Sequence, residues 1–346
     1  MLDRLGLSLP IIQAPMAGVS TPKLAAAVSN AGGLGSIGVG ATDAAGARAM
    51  IEELRALTER AFNVNVFVHA CPEQDAGREA AWLSALAPTF RKFGANPPAA
   101  LRVIYRSFLE DDQMLRALVD LRPAVVSFHF GFPAAAQIKA LRDAGCFLVA
   151  TATSLSEADA AKNAGIDAVV AQGFEAGGHR GMFDPALPDD CLGTLALTRV
   201  LVRRGGLPVI AAGGIMDGQS VRAALKLGAV AAQLGTAFIA CPESSADDAY
   251  RAALFSSAAE HTIMTRGISG RPARCLSNGF TGLAQQVPQS PPDYPIAYDA
   301  GKALDAAAKA SGEGGFGAHW AGQGAPLARS IPAAELIAQL AREMQS

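Results

Sequence analysis

Residues 208–236 read PVIAAGGIMDGQSVRAALKLGAVAAQLGT. An apolar run, PVIAA, ends in two glycines. A stretch with helical spacing follows, GQSVRAALKLG, and a second apolar run, AVAAQLGT, ends in glycine and threonine. This is a strand–helix–strand unit whose strands are apolar on both faces, as parallel strands covered by helices are. The pattern recurs along the chain. Runs of the same kind stand at PIIQAPM (10–16), GLGSIGV (33–39), FNVNVFV (62–68), AVVSFHF (124–130), CFLVATA (146–152) and AVVAQG (168–173), which with the first pair makes eight. Between them lie helical stretches such as TPKLAAAVSNAGG, DAAGARAMIEELRALTER, PAAAQIKALRDAG and SLSEADAAKNAG, several closing on Ala-Gly or Leu-Gly as helix C-caps do. Eight successive units predict an α/β fold, a closed (β/α)8 TIM barrel, with an open sheet of fewer strands as the alternative.

Two stretches break the rhythm. One spans 69–123 and contains the Ala/Pro-rich LAPTFRKFGANPPAALR; the other is the tail after residue 236, which reads as mostly helical with turns at RGISGRPAR, PQSPPDYP and SGEGGFG. The expected division is a barrel of 1–70, 120–240 and 312–346, and a smaller, mainly helical substrate or lid domain of 71–119 and 241–311. The glycine-rich GEGGFGAHWAGQG (312–324) carries His319 and Trp320, so it reads as a specific loop.

Half of the residues are hydrophobic and 17% are charged, enough apolar surface for a large core. A formal net charge of −2 argues against nucleic acid as a partner. The five cysteines are scattered without a CxxC pair, so neither a disulfide framework nor a zinc site is expected. The opening MLDRLGLSLPIIQAPM has too short an apolar run and too early a proline for a secretory leader. No run approaches the ~18 apolar residues of a membrane span. The expectation is a cytoplasmic enzyme, monomer or homodimer, without nucleic-acid or membrane partners.

Chemistry in such a barrel gathers at the C-terminal ends of the strands. There the chain places Ala14, Pro15 and Met16 after the first run, Asn65 in the third, His129 in the fourth and Gln172 after the sixth. Gly213 and Gly214 end the seventh, and Gln233, Leu234, Gly235 and Thr236 end the eighth. Glycines at these two ends let backbone N–H groups approach an anion, the place where barrels hold phosphate. The amides of Asn65, Gln172 and Gln233 suit a flat heterocycle. Flavin mononucleotide (FMN) supplies both a phosphate and such a ring. After the sixth run comes QGFEAGGHRG (172–181), where Gly177 and Gly178 free the chain to bring His179 over the ring as base or hydrogen-bond donor. Arg180 reads as an anion contact or a loop brace, and Glu175 as its support. His129 should share a face with Gly131, away from Phe128 and Phe130. In the tail, Tyr294, Tyr298 and Lys302 recur at i, i+4 and i+8, one helix face that could receive a small anion or simply be solvated. Tyr105 is the tyrosine of the first insertion.

Taken together, QAPMAGVSTPKLAAAVSNAGGLGSIG, NVNVF, VSFHFGFP, AQGFEAGGHRG, AAGGIMDG and QLGTAF resemble the class I nitronate monooxygenases, formerly 2-nitropropane dioxygenases, in order and across essentially the whole chain. The resemblance implies an FMN barrel with an added substrate domain. It implies oxidation of alkyl nitronates, such as propionate 3-nitronate, by O2 to a carbonyl compound plus nitrite or nitrate, begun by one-electron transfer to the flavin. It also implies His179 as the catalytic residue, with FMN contacts at Asn65, Gln172, Gly177, Gly214 and 233–236. Tyr105, Tyr294, Tyr298 and Lys302 resemble the family's polar set around the substrate. The nearest different reading is an NAD(P)H-dependent FMN quinone or enoyl-thioester reductase. A non-catalytic flavin- or phosphate-binding protein is a further one.

Overall fold

A computed structural model describes all 346 residues. The strands, in chain order, are β1 (Ile11–Gln13), β2 (Gly35–Gly38), β3 (Phe62–Phe67), β4 (Val125–His129), β5 (Phe147–Ala152), β6 (Ala168–Gln172), β7 (Gly178–His179), β8 (Val209–Ala212), β9 (Ala231–Leu234), β10 (Thr262–Thr265) and β11 (Ala273–Leu276). Eight of them pair in parallel in the order β2-β3-β4-β5-β6-β8-β9-β1. The ring closes where Leu34 N–H donates to Ile11 O and Gln13 N–H donates to Leu34 O, both at 2.9 Å. The fold is the expected (β/α)8 barrel. Its strands are the eight apolar runs of the sequence.

Alternation along each strand divides core from site. Val64 and Val66 of β3 face the helices and pack with Ile51, Leu54, Leu118 and Phe128. Asn63 and Asn65 point inward, where Asn63 donates to Ser36 Oγ at 3.2 Å and Asn65 to Ser127 Oγ at 2.9 Å. Gln13 spans β1 and β2, accepting from Ser36 N–H at 2.8 Å. The lower interior is sealed by Ile12, Leu34, Val125, Val170 and Ile210. Inward polar groups therefore collect toward the C-terminal mouth. The helix Gly218–Lys226 between β8 and β9 begins at Asp217, whose carboxylate accepts from Ser220 N–H at 2.7 Å, and ends before Gly228 at φ +101°. An L side chain rarely takes that angle, which is the physical sense of the Leu-Gly ending.

The two excursions meet. Trp82, Leu86 and Phe90 of the helix Ala76–Lys92 pack against Phe280 and against Ile296, Ala300 and Leu304 of the helix Ile296–Ala310. The tail also holds strands that its composition does not announce: β10 and β11 form an antiparallel ladder that takes β7 as its third member. The last helix, Ala333–Glu343, returns to the barrel and buries Leu336, Ile337 and Leu340 against Leu24, Val28 and Val221. No helix is long and apolar enough to cross a membrane.

Candidate active site

One cavity opens at the C-terminal mouth of the barrel. Around it stand Ala14, Pro15, Met16, Asn65, His129, Gln172, Gly177, Gly178, His179, Gly213, Gly214, Gln233, Gly235 and Thr236 from the barrel, and Tyr105, Tyr294 and Tyr298 from the excursions. Leu234 is absent from this wall. Its side chain is buried in the helix-facing core, and its carbonyl accepts from Ala14 N–H at 2.8 Å. Lys302 is absent too. Its Nζ lies over the rings of Tyr105 and Tyr298 at 5.1 and 5.5 Å, in an adjoining chamber that shares both tyrosines.

Two backbones crowd each other on the glycine side of the cavity. A Cβ on Gly177 would stand 2.4 Å from Gly322 N, and one on Gly213, at φ +126°, would stand 2.5 Å from Thr194 Oγ1. The N–H groups of Gly213, Gly214 and Gly235 donate to nothing within the chain. Beneath them Glu175 accepts from Thr194 N–H at 2.8 Å and from Thr194 Oγ1 at 2.9 Å, while that hydroxyl touches Gly213 O at 2.9 Å. Glu175 thus supports the glycine turn from behind. The carboxamide of Gln233 has no hydrogen bond to the chain, so its donors and acceptor are available.

Gln172 behaves otherwise. Its Nε2 donates to His179 O at 3.0 Å and its Oε1 accepts from Gly181 N–H at 2.7 Å, so the amide expected to face a heterocycle fastens the histidine loop. Arg180, 1% exposed, is a loop brace and not an anion contact. It forms a two-point pair with Asp189 at 2.8 and 2.9 Å and donates to Gln172 O at 2.8 Å. The glycine-rich segment is also no free loop: Gly178 and His179 pair with Arg274 and Ala273 of β11.

His179 is fixed from both ends. Its Nε2 lies 2.8 Å from Ser269 Oγ, and that hydroxyl donates to Arg271 O at 3.3 Å. The Ser269 oxygen therefore accepts from Nε2–H, and Nδ1 keeps the lone pair. His129 Nε2 donates to the carbonyl of His179 at 3.1 Å, which leaves its Nδ1 to accept from Thr151 Oγ1 at 3.2 Å. Burial lowers His129 to about 4. Burial, with His129 and Arg271 nearby, holds His179 well below the ordinary histidine value. Both rings are neutral at neutral pH. Burial also raises Tyr105 to about 12 and Tyr294 and Tyr298 well above the ordinary phenol value, so the three phenols face the cavity protonated.

Two sequence expectations fail on geometry. Tyr294 precedes the helix that starts at Ile296, so the tyrosines and Lys302 do not form one helix face. Phe130 takes φ +76°, which turns its ring away from Phe128 toward the site, 5.6 Å from the His179 ring and 5.3 Å from that of Tyr294. Strand alternation predicts the opposite. Ser269 and Arg271 carry no signal in the sequence, where they stand in the turn-rich RGISGRPAR, yet both are buried. Trp320, whose loop did stand out in the sequence, brings its ring 5.0 Å from that of His179. No cluster of three or more His, Cys, Asp or Glu stands where it could hold a metal ion.

Comparison with known proteins agrees with this architecture. The family model described as nitronate monooxygenase matches residues 1–343. The nitronate monooxygenase of Paraburkholderia phytofirmans is 62% identical, covering 100% of this chain and 94% of its own. The crystal structure of nitroalkane oxidase from Streptomyces ansochromogenes superposes with a TM-score of 0.91 at 41% identity, covering 99% of this chain and 97% of that one. FabK from Thermotoga maritima is more distant, with a TM-score of 0.74 at 30% identity, 99% of this chain and 95% of that one being covered. With its barrel, its histidine-bearing loop and its two-part wall, the chain belongs to the nitronate monooxygenase family and is an oxidoreductase.

Proposed function

We propose that this enzyme uses FMN to oxidise small alkyl nitronates with O2, giving a carbonyl compound plus nitrite or nitrate. The observation that carries the FMN reading is the set of N–H donors at Gly213, Gly214 and Gly235, unpartnered and grouped where two strands end. They would hold the phosphate, as helix and strand ends hold anions in barrels. Asn65, the free amide of Gln233 and the Ala14–Met16 backbone would meet the ring. When bound, the flavin supplies the electron acceptor and the site of reoxidation by O2.

The chain's own residues would do the rest. Protonated phenols of Tyr105, Tyr294 and Tyr298 would donate to the nitronate oxygens. His179 would orient the substrate through Nδ1, or take a proton there from a neutral nitroalkane. Its low basicity favours a substrate that arrives already ionised. The layer of 71–119 and 241–311, helices together with the β10–β11 ladder, would act as the substrate domain over the barrel of 1–70, 120–240 and 312–346.

The test is anaerobic mixing of the holoenzyme with propionate 3-nitronate, with NADH and NADPH in parallel, followed by flavin absorbance. Rapid spectral change with nitronate alone is expected. Bleaching by pyridine nucleotide alone would assign the chain to a reductase instead.

A further inference from the structure

The cavity wall contains no charged group, yet a nitronate is an anion. Of the cations near it, Arg180 is neutralised by Asp189, and Lys302 is exposed in the adjoining chamber. Arg274 is buried, but its nitrogens face Phe174 O and Thr262 Oγ1. Arg271 differs from all three. It is 4% exposed, forms no ion pair, and places its guanidinium 4.2 Å above the ring of Phe130. It donates through Nη2 to Met182 O, while its Nε has no partner. The Phe130 ring beneath it lies in turn 5.6 Å from the ring of His179 and 5.3 Å from that of Tyr294.

We propose that Arg271 is the specificity-determining charge of this site, a positioning residue that selects an anionic substrate over its neutral conjugate acid from its place over Phe130, outside the cavity lining. The inference rests on the function proposed above. A charge screened by protein and not by water keeps its reach over such distances. The groups that face it are consistent with that reach. His69, His129 and His179 are all held down in part by Arg271, and on the Tyr294 phenol it opposes the rise that burial imposes. Glu157, Asp184 and Arg266 also face the guanidinium, from farther than ion-pair distance. Nothing in the arrangement requires contact between Arg271 and the substrate.

The test compares holoenzyme of the natural sequence with Arg271→Met and Arg271→Lys. It uses ethyl nitronate as substrate, nitrate as an anionic inhibitor and nitroethane as a neutral one. The Met variant should raise KM for the nitronate and Ki for nitrate about tenfold each, with kcat and the nitroethane Ki held within about threefold, the size expected of one partly screened interior charge. The Lys variant should restore most of the loss. Equal weakening of nitrate and nitroethane, no weakening, or a Lys variant as poor as Met would overturn the proposal. If Arg271→Met does not fold, Arg271→Gln, which keeps a donor for Met182, is judged by the same criteria. The unaltered protein carries an arm of its own, in which nitrate must bind more tightly than nitroethane by tryptophan fluorescence; equal affinities overturn the proposal. Failure of the unaltered enzyme to turn over nitronate would instead defeat the functional reading, and the nitrate comparison would still decide the charge preference of the cavity.

Discussion

His179 shows how much of one residue's role is local chemistry and how much is imposed on it. A histidine between glycines and a strand end was conspicuous in the sequence, and the structure places its ring on the cavity. Its tautomer is set elsewhere, by Ser269 in a turn 90 residues away. Partners at such separations leave no periodicity to read, and the same holds for Arg271. Gln172 was legible as a site residue, but not as a brace, because an amide's partners depend on loops whose path the sequence does not give. If His179 acts as proposed, His179→Asn should lower turnover about 100-fold or more. The variant should still purify yellow, since none of the unpartnered donors at Gly213, Gly214 and Gly235 is altered. Full activity, or loss of colour together with activity, would refute the role.

At the scale of elements, the eight barrel strands were legible because each is an apolar run bounded by turn chemistry, and a parallel sheet needs little else. The ladder of β7, β10 and β11 was not. Two residues, Gly178 and His179, are too few to show alternation, and their pairing with β11 is a long-range choice. The link between Tyr105 and the helix bearing Tyr298 lies at this scale too. Asp299, on that helix and nearly buried, accepts from Arg102 N–H at 3.0 Å and from its guanidinium at 3.3 and 3.0 Å. Arg102 itself is 78% exposed, so the pair adds little as charge and more as a fastener. Asp299→Asn should cost about 1–2 kcal/mol in urea unfolding, the size of a weakened charged hydrogen-bond set. It should raise KM for the nitronate more than it lowers kcat, because Tyr105 loses its register against Tyr298. A fall in kcat with KM unchanged would instead assign Asp299 to the chemistry.

The whole molecule holds several histidines neutral by burial, and two of them show what pH profile this gives it. His69 and His129 are each lowered to about 4, chiefly by burial. In the unfolded chain they take up protons near the ordinary value of about 6.5, while the native state refuses them until about pH 4. Their contribution is therefore complete above pH 6.5 and lost as pH falls toward 4, at roughly 3 kcal/mol per ring. The urea midpoint should drop markedly between pH 7.5 and pH 4.5; a flat midpoint would show that these rings are not held neutral. The two excursions were visible as breaks in the βα rhythm, whereas no pattern in the sequence shows that the helix Ala333–Glu343 packs on Leu24, Val28 and Val221. The ladder between β7 and β11 also orders events in time. A nascent chain that has emerged through β9 holds every barrel strand and the glycines at their ends, but His179 still lacks its Ala273 partner and its Ser269 hydrogen bond. The order of the chain thus completes the barrel strands before the anchoring of His179, and the candidate site takes its final form only when the chain is nearly finished.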